Sequence, residues 1–245
     1  MTECSQDSFD FEPHFSRQVT ANFDGGTLTT DGGGLLLRKT ERRIGLMKRL
    51  PGCFLDGRQA GRLEHRLEEM LAQRIYGLAL GYEDLNDHEQ LRHDPLLGVL
   101  SGKKNLQAPL AGKSTLNRLE LTPEGDARRQ RYHKIGYSPR AIDELLVHLF
   151  QEAHVRPPRR IVLDLDATDT PLHGHQESRF FHGYYNHYCY LPLYIFCGDH
   201  LLRARLRPAN IDASAGSLEE VQTLVAQIRA RWPKTRIILR ADSGF

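Results

Sequence analysis

Two aspartates pose the chemical question. Asp166 closes the apolar run Arg160-Ile-Val-Leu-Asp-Leu-Asp166, and Asp242 closes Arg236-Ile-Ile-Leu-Arg-Ala-Asp242. Both runs are short and rich in Ile, Leu and Val, the signature of a buried strand. Carboxylates at the ends of two neighbouring strands can share a pair of divalent metal ions, and such pairs cut and rejoin phosphodiester bonds. Magnesium takes one or two carboxylates, with water and substrate phosphate filling its other positions. Asp suits the task because a short side chain lets the strand itself position the ion. Asp164 lies two residues before Asp166 and shares its face, so either can serve as the first ligand. The bland alternative is that each aspartate merely ends a strand and starts a turn, where Asp is common. Two such strand ends side by side favour the metal reading.

The elements around these residues predict that they meet. The first strand spans 161–166. A long polar and aromatic loop follows, then a strand at 193–197, a two-residue turn at Gly198-Asp199, and a strand at 201–207. Ser217 and Glu220 form an S-x-x-E capping box for a helix carrying Leu218, Val221, Leu224, Val225 and Ile228. Pro233 ends it, and the fourth strand is 237–239. A helical crossover returns the chain parallel to the first strand. Asp166 and Asp242 then stand at the carboxyl ends of adjacent strands, where open α/β sheets place their sites.

The rest of the chain reads as helical. Residues 1–16 are polar and predict disorder. Residues 17–23 alternate, and Gly25-Gly26 suggests a hairpin returning at 27–29. A helical stretch opens after Asp31 and runs to Leu50, before Pro51-Gly52. A stronger helix spans 62–80, with Leu63, Leu67, Met70, Leu71, Ile75 and Leu78 on one face. Short helices are predicted at 84–92, after Pro95, and after Ser114. Ser138-Pro139 opens a helix bearing Ile142, Leu145, Leu146, Leu149 and Phe150. The predicted organisation is a disordered 1–16, a mostly helical region at 17–154, a linker at 155–160 and an α/β region at 161–245.

Composition excludes some classes. The chain has 245 residues, of which 40% are hydrophobic and 26% charged, as in a water-soluble globular protein. No apolar run reaches the length of a membrane span, and 1–15 lacks the apolar centre of a signal peptide. Cys4, Cys53, Cys189 and Cys197 show no paired ligand spacing, which indicates reduced thiols in a cytoplasmic protein. A net charge of +2 is no nucleic-acid footprint, but the basic residues cluster. Arg128, Arg129, Arg131, His133 and Lys134 form one run, and Arg156, Arg159 and Arg160 another. Arg203, Arg205 and Arg207 alternate along a predicted strand. Such stripes either track phosphates or form a solvated face.

Several motifs carry less. Gly112-Lys-Ser-Thr115 ends like a phosphate-binding loop, but Gln107 stands where its first glycine belongs. His173, His175, His182 and His187 crowd one loop without the helical pairing or cysteine partners of a zinc site. Beside Tyr184, Tyr185, Tyr188 and Tyr190, they either pack the loop or stack on an unpaired DNA base. A helix-turn-helix within 83–121 is too loose a pattern to name a recognition helix.

The segment Val162-Leu-Asp-Leu-Asp-Ala-Thr-Asp169 resembles the first-aspartate motif of DDE transposases. Arg240-Ala-Asp-Ser-Gly-Phe245 resembles the second-aspartate motif of the group 1 DDE transposases of bacterial insertion sequences. Three stretches resemble the same group: Ala79-Leu-Gly-Tyr-Glu-Asp-Leu-Asn-Asp-His88, Leu91-Arg-His-Asp-Pro-Leu96 and Tyr188-Cys-Tyr-Leu-Pro-Leu-Tyr194. The resemblance runs from about Phe23 to Phe245. It implies a ribonuclease H-like mixed sheet, Mg2+ or Mn2+ as cofactor, and Asp166 and Asp242 as the first two catalytic, metal-holding carboxylates, with Asp164 the alternative first. It implies cleavage and strand transfer at element ends, and double-stranded DNA as partner, both terminal inverted repeats and target. It also implies a homodimer on DNA and a cytoplasmic, nucleoid-associated location. The resemblance further implies a third acidic residue, a Glu on a later helix. No residue follows Phe245 in this sequence, so the expectation is an incomplete sheet, an unstable second half and a chain inactive alone. The alternative expectation is a non-enzymatic DNA-binding remnant that interferes with full-length transposase. An unrelated ribonuclease H-like nuclease is a third.

Overall fold

The computed structural model describes residues 8–14, 16–22, 29–128 and 130–242. It divides into two units, Met1–Tyr137 and Ser138–Phe245. The helix at 139–152, which the sequence assigned to the first region, belongs to the second. Its buried Val147 and Phe150 join the core beneath the main sheet, so the division falls before Ser138 and not at 155–160.

In the first unit, β1 (Ser8–His14) pairs antiparallel with β2 (Arg17–Asn22). Strand β1 therefore lies within the 1–16 stretch expected to be disordered, and β2 is its hairpin partner. Phe23 and residues 24–28 of the expected hairpin lie outside the described residues. The predicted helix to Leu50 is divided. The first part, α1 (Gly34–Ile44), stops at Gly45, whose φ of 73° lets its N–H reach Glu41 O. The second, α2 (Leu46–Arg49), leads into a tight turn at Leu50–Cys53. Next, β3 (Phe54–Asp56) pairs with β4 (Ile135–Tyr137), the last strand of the unit.

The centre of this unit is α3 (Leu67–Ala79). It begins four residues after the apolar pattern does, because Glu69 folds back onto Arg66 and accepts from both its backbone N–H and its guanidinium. One side of α3, Leu67, Met70 and Leu71, packs on Leu116 and Leu119 of α6 (Lys113–Glu120). Another, Ala72 and Tyr76, packs on α5 (Pro95–Leu100), which follows α4 (His88–Leu91). The buried amide of Gln73 donates to Ala111 O at 2.8 Å and accepts from Ala111 N at 3.1 Å, which ties the approach to α6 onto α3.

The second unit opens with α7 (Pro139–Glu152), capped by the Ser138 hydroxyl, which accepts from Ala141 N at 3.3 Å. Then come β5 (Arg160–Ala167), β6 (Thr170–Pro171), β7 (Phe180–His182), β8 (His187–Tyr190), β9 (Leu193–Cys197), β10 (His200–Arg205), α8 (Ser217–Arg231) and β11 (Arg236–Ala241). The main sheet has the order β10-β9-β5-β11, with β11 parallel to β5 and the other pairs antiparallel. The predicted loop between β5 and β9 folds as a small sheet, β6-β8-β7. The whole is mixed α/β, a mostly helical unit followed by a sheet unit. Ile161, Leu163 and Leu165 of β5 point into a core shared with α7, with Val221, Leu224 and Ile228 of α8, and with Trp232. Fully burying such a side chain contributes about 1.5–3 kcal/mol, so the alternation along β5 fixes which of its faces is free.

Two expectations on β10 and α8 are overturned. The arginine stripe does not face outward. Arg203 is fully buried, and Arg207 is buried with its guanidinium on the carbonyls of Leu191, Ala213 and Ala215. Arg205 is clamped between Asp143 of α7 and Glu220 of α8. A shift of register between Leu201 and Arg203 turns these side chains toward the helices. The capping box at Ser217 is not formed either. Gly216 is the cap residue, and Glu220 is spent on the arginines.

Candidate active site

β5 and β11 run in parallel register from Arg236↔Arg160 to Ala241↔Leu165. One residue further along each strand lie Asp242 and Asp166, side by side at the carboxyl ends. Leu163 and Leu165 point into the core, so Val162, Asp164 and Asp166 occupy the opposite face. The ion pair between Arg240 and Asp164 shows that β11 presents the matching set: Arg240 Nη2 donates to Asp164 Oδ2 at 2.9 Å, with a second bond from Nε to Oδ1. Asp242 therefore shares the face of Asp166. Both carboxylates are exposed, and neither has a hydrogen-bond or ion-pair partner among the described residues.

Asp164 differs from Asp166 in this respect. The Arg240 hydrogen bonds hold its carboxyl below the ordinary aspartate value, and its charge is already matched. Asp166 has no such partner. Tyr194 and Phe196 of β9 stand opposite Asp166 and Asp164 and continue the same face.

The small sheet adds a wall beside the strand ends. Asp169, three residues after Asp166, pairs with His187 Nε2 at 2.7 Å. The Tyr185 ring stacks over His187 with centroids 6.1 Å apart, and it contacts Tyr184 and His182 edge-wise or tilted. Burial holds the Tyr185 phenol above its ordinary value, and the carboxylates of Asp169 and Asp166 add to the shift. Arg179 lies over the Tyr188 ring at 4.6 Å. Tyr184 and Phe181 are exposed.

The four loop histidines do not converge. His187 turns to Asp169, His175 bonds Arg179 at 2.9 Å, and His182 packs on Tyr185. No group of three or more His, Cys, Asp or Glu side chains is placed to hold a metal ion among the described residues. Lys113 donates to Asn86 at 3.1 Å, and helix α5 stands before its segment where a phosphate loop has a strand. The sequence reading missed two pairings, Arg240 with Asp164 and Asp169 with His187. Arg240 was legible in principle, because parallel pairing sets it opposite Asp164. The Asp169–His187 pair depends on the fold of the small sheet, which had no clear periodicity.

An α/β sheet that brings two carboxylates to the ends of adjacent parallel strands can hold a divalent metal ion between them. The family model of the transposase DDE domain, group 1, matches residues 11–245, and the chain belongs to that family. No curated protein and no solved structure matched. Among the described residues, no helix is long and apolar enough to cross a membrane.

Members of the family use divalent metal ions. Asp166 and Asp242 fit such an ion in kind: both are hard oxygen donors, exposed, on one face and unpaired, and magnesium needs no more than one or two carboxylates from the protein.

Proposed function

We propose that this chain acts on DNA as a DDE transposase, with Asp166 and Asp242 as the first two catalytic carboxylates at insertion-sequence ends. The observation that carries the reading is the parallel register, which sets Asp166 beside Asp242 while Arg240 neutralises Asp164. Asp166 and Asp242 would hold Mg2+ or Mn2+, which supplies the positive charge that activates the attacking oxygen and steadies the leaving one. The chain's own residues supply the frame. Leu163 and Leu165 anchor β5 from beneath, so Asp166 is held by packed backbone and not by a loop. The Asp169–His187 pair and the Tyr185 ring bound one side of the site and limit where a DNA strand can lie. The exposed Tyr184 ring offers a stacking surface for a base unpaired near the cut. Double-stranded DNA, as terminal inverted repeats and as target, is the partner, read by the first unit and held by a homodimer.

A second reading keeps recognition of DNA and drops cleavage. In that reading the chain binds element ends without cutting and interferes with full-length transposase. One experiment separates the two. Purified chain is incubated with duplex DNA carrying the terminal repeats of its own element, with Mg2+, Mn2+ or EDTA. Metal-dependent nicking at the repeat boundary, lost in Asp166→Asn and in Asp242→Asn, supports the enzyme. Specific binding without nicking supports the remnant. Nicking that survives both substitutions refutes the assignment of these carboxylates.

A further inference from the structure

The first unit contains a cavity of about 380 Å³ bounded by α3, α6 and the segment leading into β4. Its walls have two distinct characters. The floor is apolar: Met70 and Leu119 are buried, and Leu63 and Ile135 are half-buried beside them. The rim is basic, with Arg58, Arg62, Arg118, Arg131 and Lys134 set against one carboxylate, Glu64.

Not all of these cations are available. Arg58 grips Asp56 at 2.7 Å, and Arg118 donates to Ser114 O on its own helix at 3.1 Å. Arg62 and Lys134 are exposed, and their side chains have no ion pair or hydrogen bond among the described residues. At the mouth, the Tyr132 ring is 73% exposed, with the Arg131 guanidinium 5.2 Å from its centroid. Unspent positive charge beside an apolar floor and an open aromatic face suits one ligand chemistry. A bare anion has no use for the floor, and an apolar ligand has none for the charge. A nucleotide has both a planar base and a phosphate, and the volume falls within the roughly 300–1,000 Å³ of small-ligand sites.

We propose that this cavity is a nucleotide-binding site, with phosphate at Arg62 and Lys134 and the base on the apolar floor beside Tyr132. The nucleotide is either one residue of a DNA strand or a free mononucleotide. The site uses no residue of the sheet unit, so it stands whether or not Asp166 and Asp242 support cleavage.

The test uses the full chain in EDTA, so that metal-dependent chemistry plays no part. Fluorescence anisotropy follows binding of a labelled single-stranded oligothymidylate, with unlabelled dTMP as competitor. The double variant Arg62→Ala/Lys134→Ala should bind more weakly and show a salt slope shallower by about 1.4, at about 0.7 per phosphate contact on a single strand. Tyr132→Ala should lose about five- to a hundredfold in affinity, and Tyr132→Phe should retain it. Glu64→Gln should bind more tightly, a gain that misfolding cannot mimic. Arg140→Ala, an exposed charge on α7, should bind like the parent. Competition by dTMP assigns the site to free nucleotides as well, and binding of the oligonucleotide alone assigns it to a DNA strand. An abasic oligonucleotide that binds as well as its parent would overturn the proposal, as would wild-type affinity in the Arg62/Lys134 variant.

Discussion

Replacing Asp143 with asparagine should loosen α7 from β10 and lower the stability of the sheet unit. The Asp143 side chain is 9% exposed, accepts from Arg205 Nη1 at 2.9 Å and Nη2 at 2.5 Å, and stands 3.6 Å from Arg203 Nη1. Asparagine keeps the shape and loses the charge. Removing one member of a buried pair costs about 3–5 kcal/mol, chiefly because the partner's charge is stranded. Here Glu220 still reaches Arg203 at 3.3 Å and Arg205 at 2.6 Å, so the loss should sit at the low end, about 3 kcal/mol by the same range. Trp232, the sole tryptophan, is buried in this unit's core and reports its unfolding by fluorescence. With a urea dependence of about 1–3 kcal/mol per molar, the midpoint should fall by about 1–3 M. Glu144, in an exposed pair with Arg140 on the same helix, is the control, and Glu144→Gln should leave the midpoint in place. A shift in Asp143→Asn below about 0.3 M would mean that the pair behaves like a screened surface pair. It would refute the reading of the β10 arginines as internal braces.

Other predictions test the site and the first unit. If Asp166 is the ligand, Asp166→Asn should reduce metal-dependent nicking by about a thousandfold or more, as several kcal/mol of charge stabilisation would. Asp164→Asn should cost far less, and equal losses in a nicking assay would return Asp164 to the site. Tyr184→Ala should weaken binding of end DNA with unpaired bases at the boundary by about five- to a hundredfold and leave fully paired ends unaffected in a gel-shift titration. Burial holds the His88 imidazole below its ordinary 6.5, as it does His65, so the folded first unit binds fewer protons than the unfolded chain. Stability present above pH 6.5 is therefore lost as the pH falls from that value toward the lower folded pKa. The urea midpoint of the helical circular-dichroism signal should fall on acidification, and a midpoint that rises would contradict the burial.

What the sequence revealed depended on whether local pattern or distant contacts decided each feature. The strands ending at Asp166, Cys197 and Asp242 were legible because each is a short apolar run bounded by turn residues, and the crossover rule then fixed their neighbours. The Ser138 cap was legible because a serine before proline has one favoured use. The arginines of β10 were misread because alternation says only that side chains share a face. Which face is inward depends on Asp143, about sixty residues earlier, and on Glu220 of the following helix. The capping box failed for the same reason: Glu220 has a stronger partner in Arg205 than the helix end could provide. The cavity of the first unit was not legible either. Arg62 precedes α3 and Lys134 precedes β4, and only the pairing of β3 with β4 brings their segments together.

The same contrast explains why Asp166 is the better candidate than Asp164. Both face away from the core on one strand, and spacing alone leaves the choice open. Parallel pairing puts Arg240 opposite Asp164 and leaves Asp242 next in register to Asp166. The neutralised pair sits on the flank of the face, and two unpaired carboxylates sit at its end. Two unpaired carboxylates on one face can share a divalent cation. One strand therefore carries a paired aspartate and an unpaired one, two residues apart. The arginine on β11 makes the difference between them.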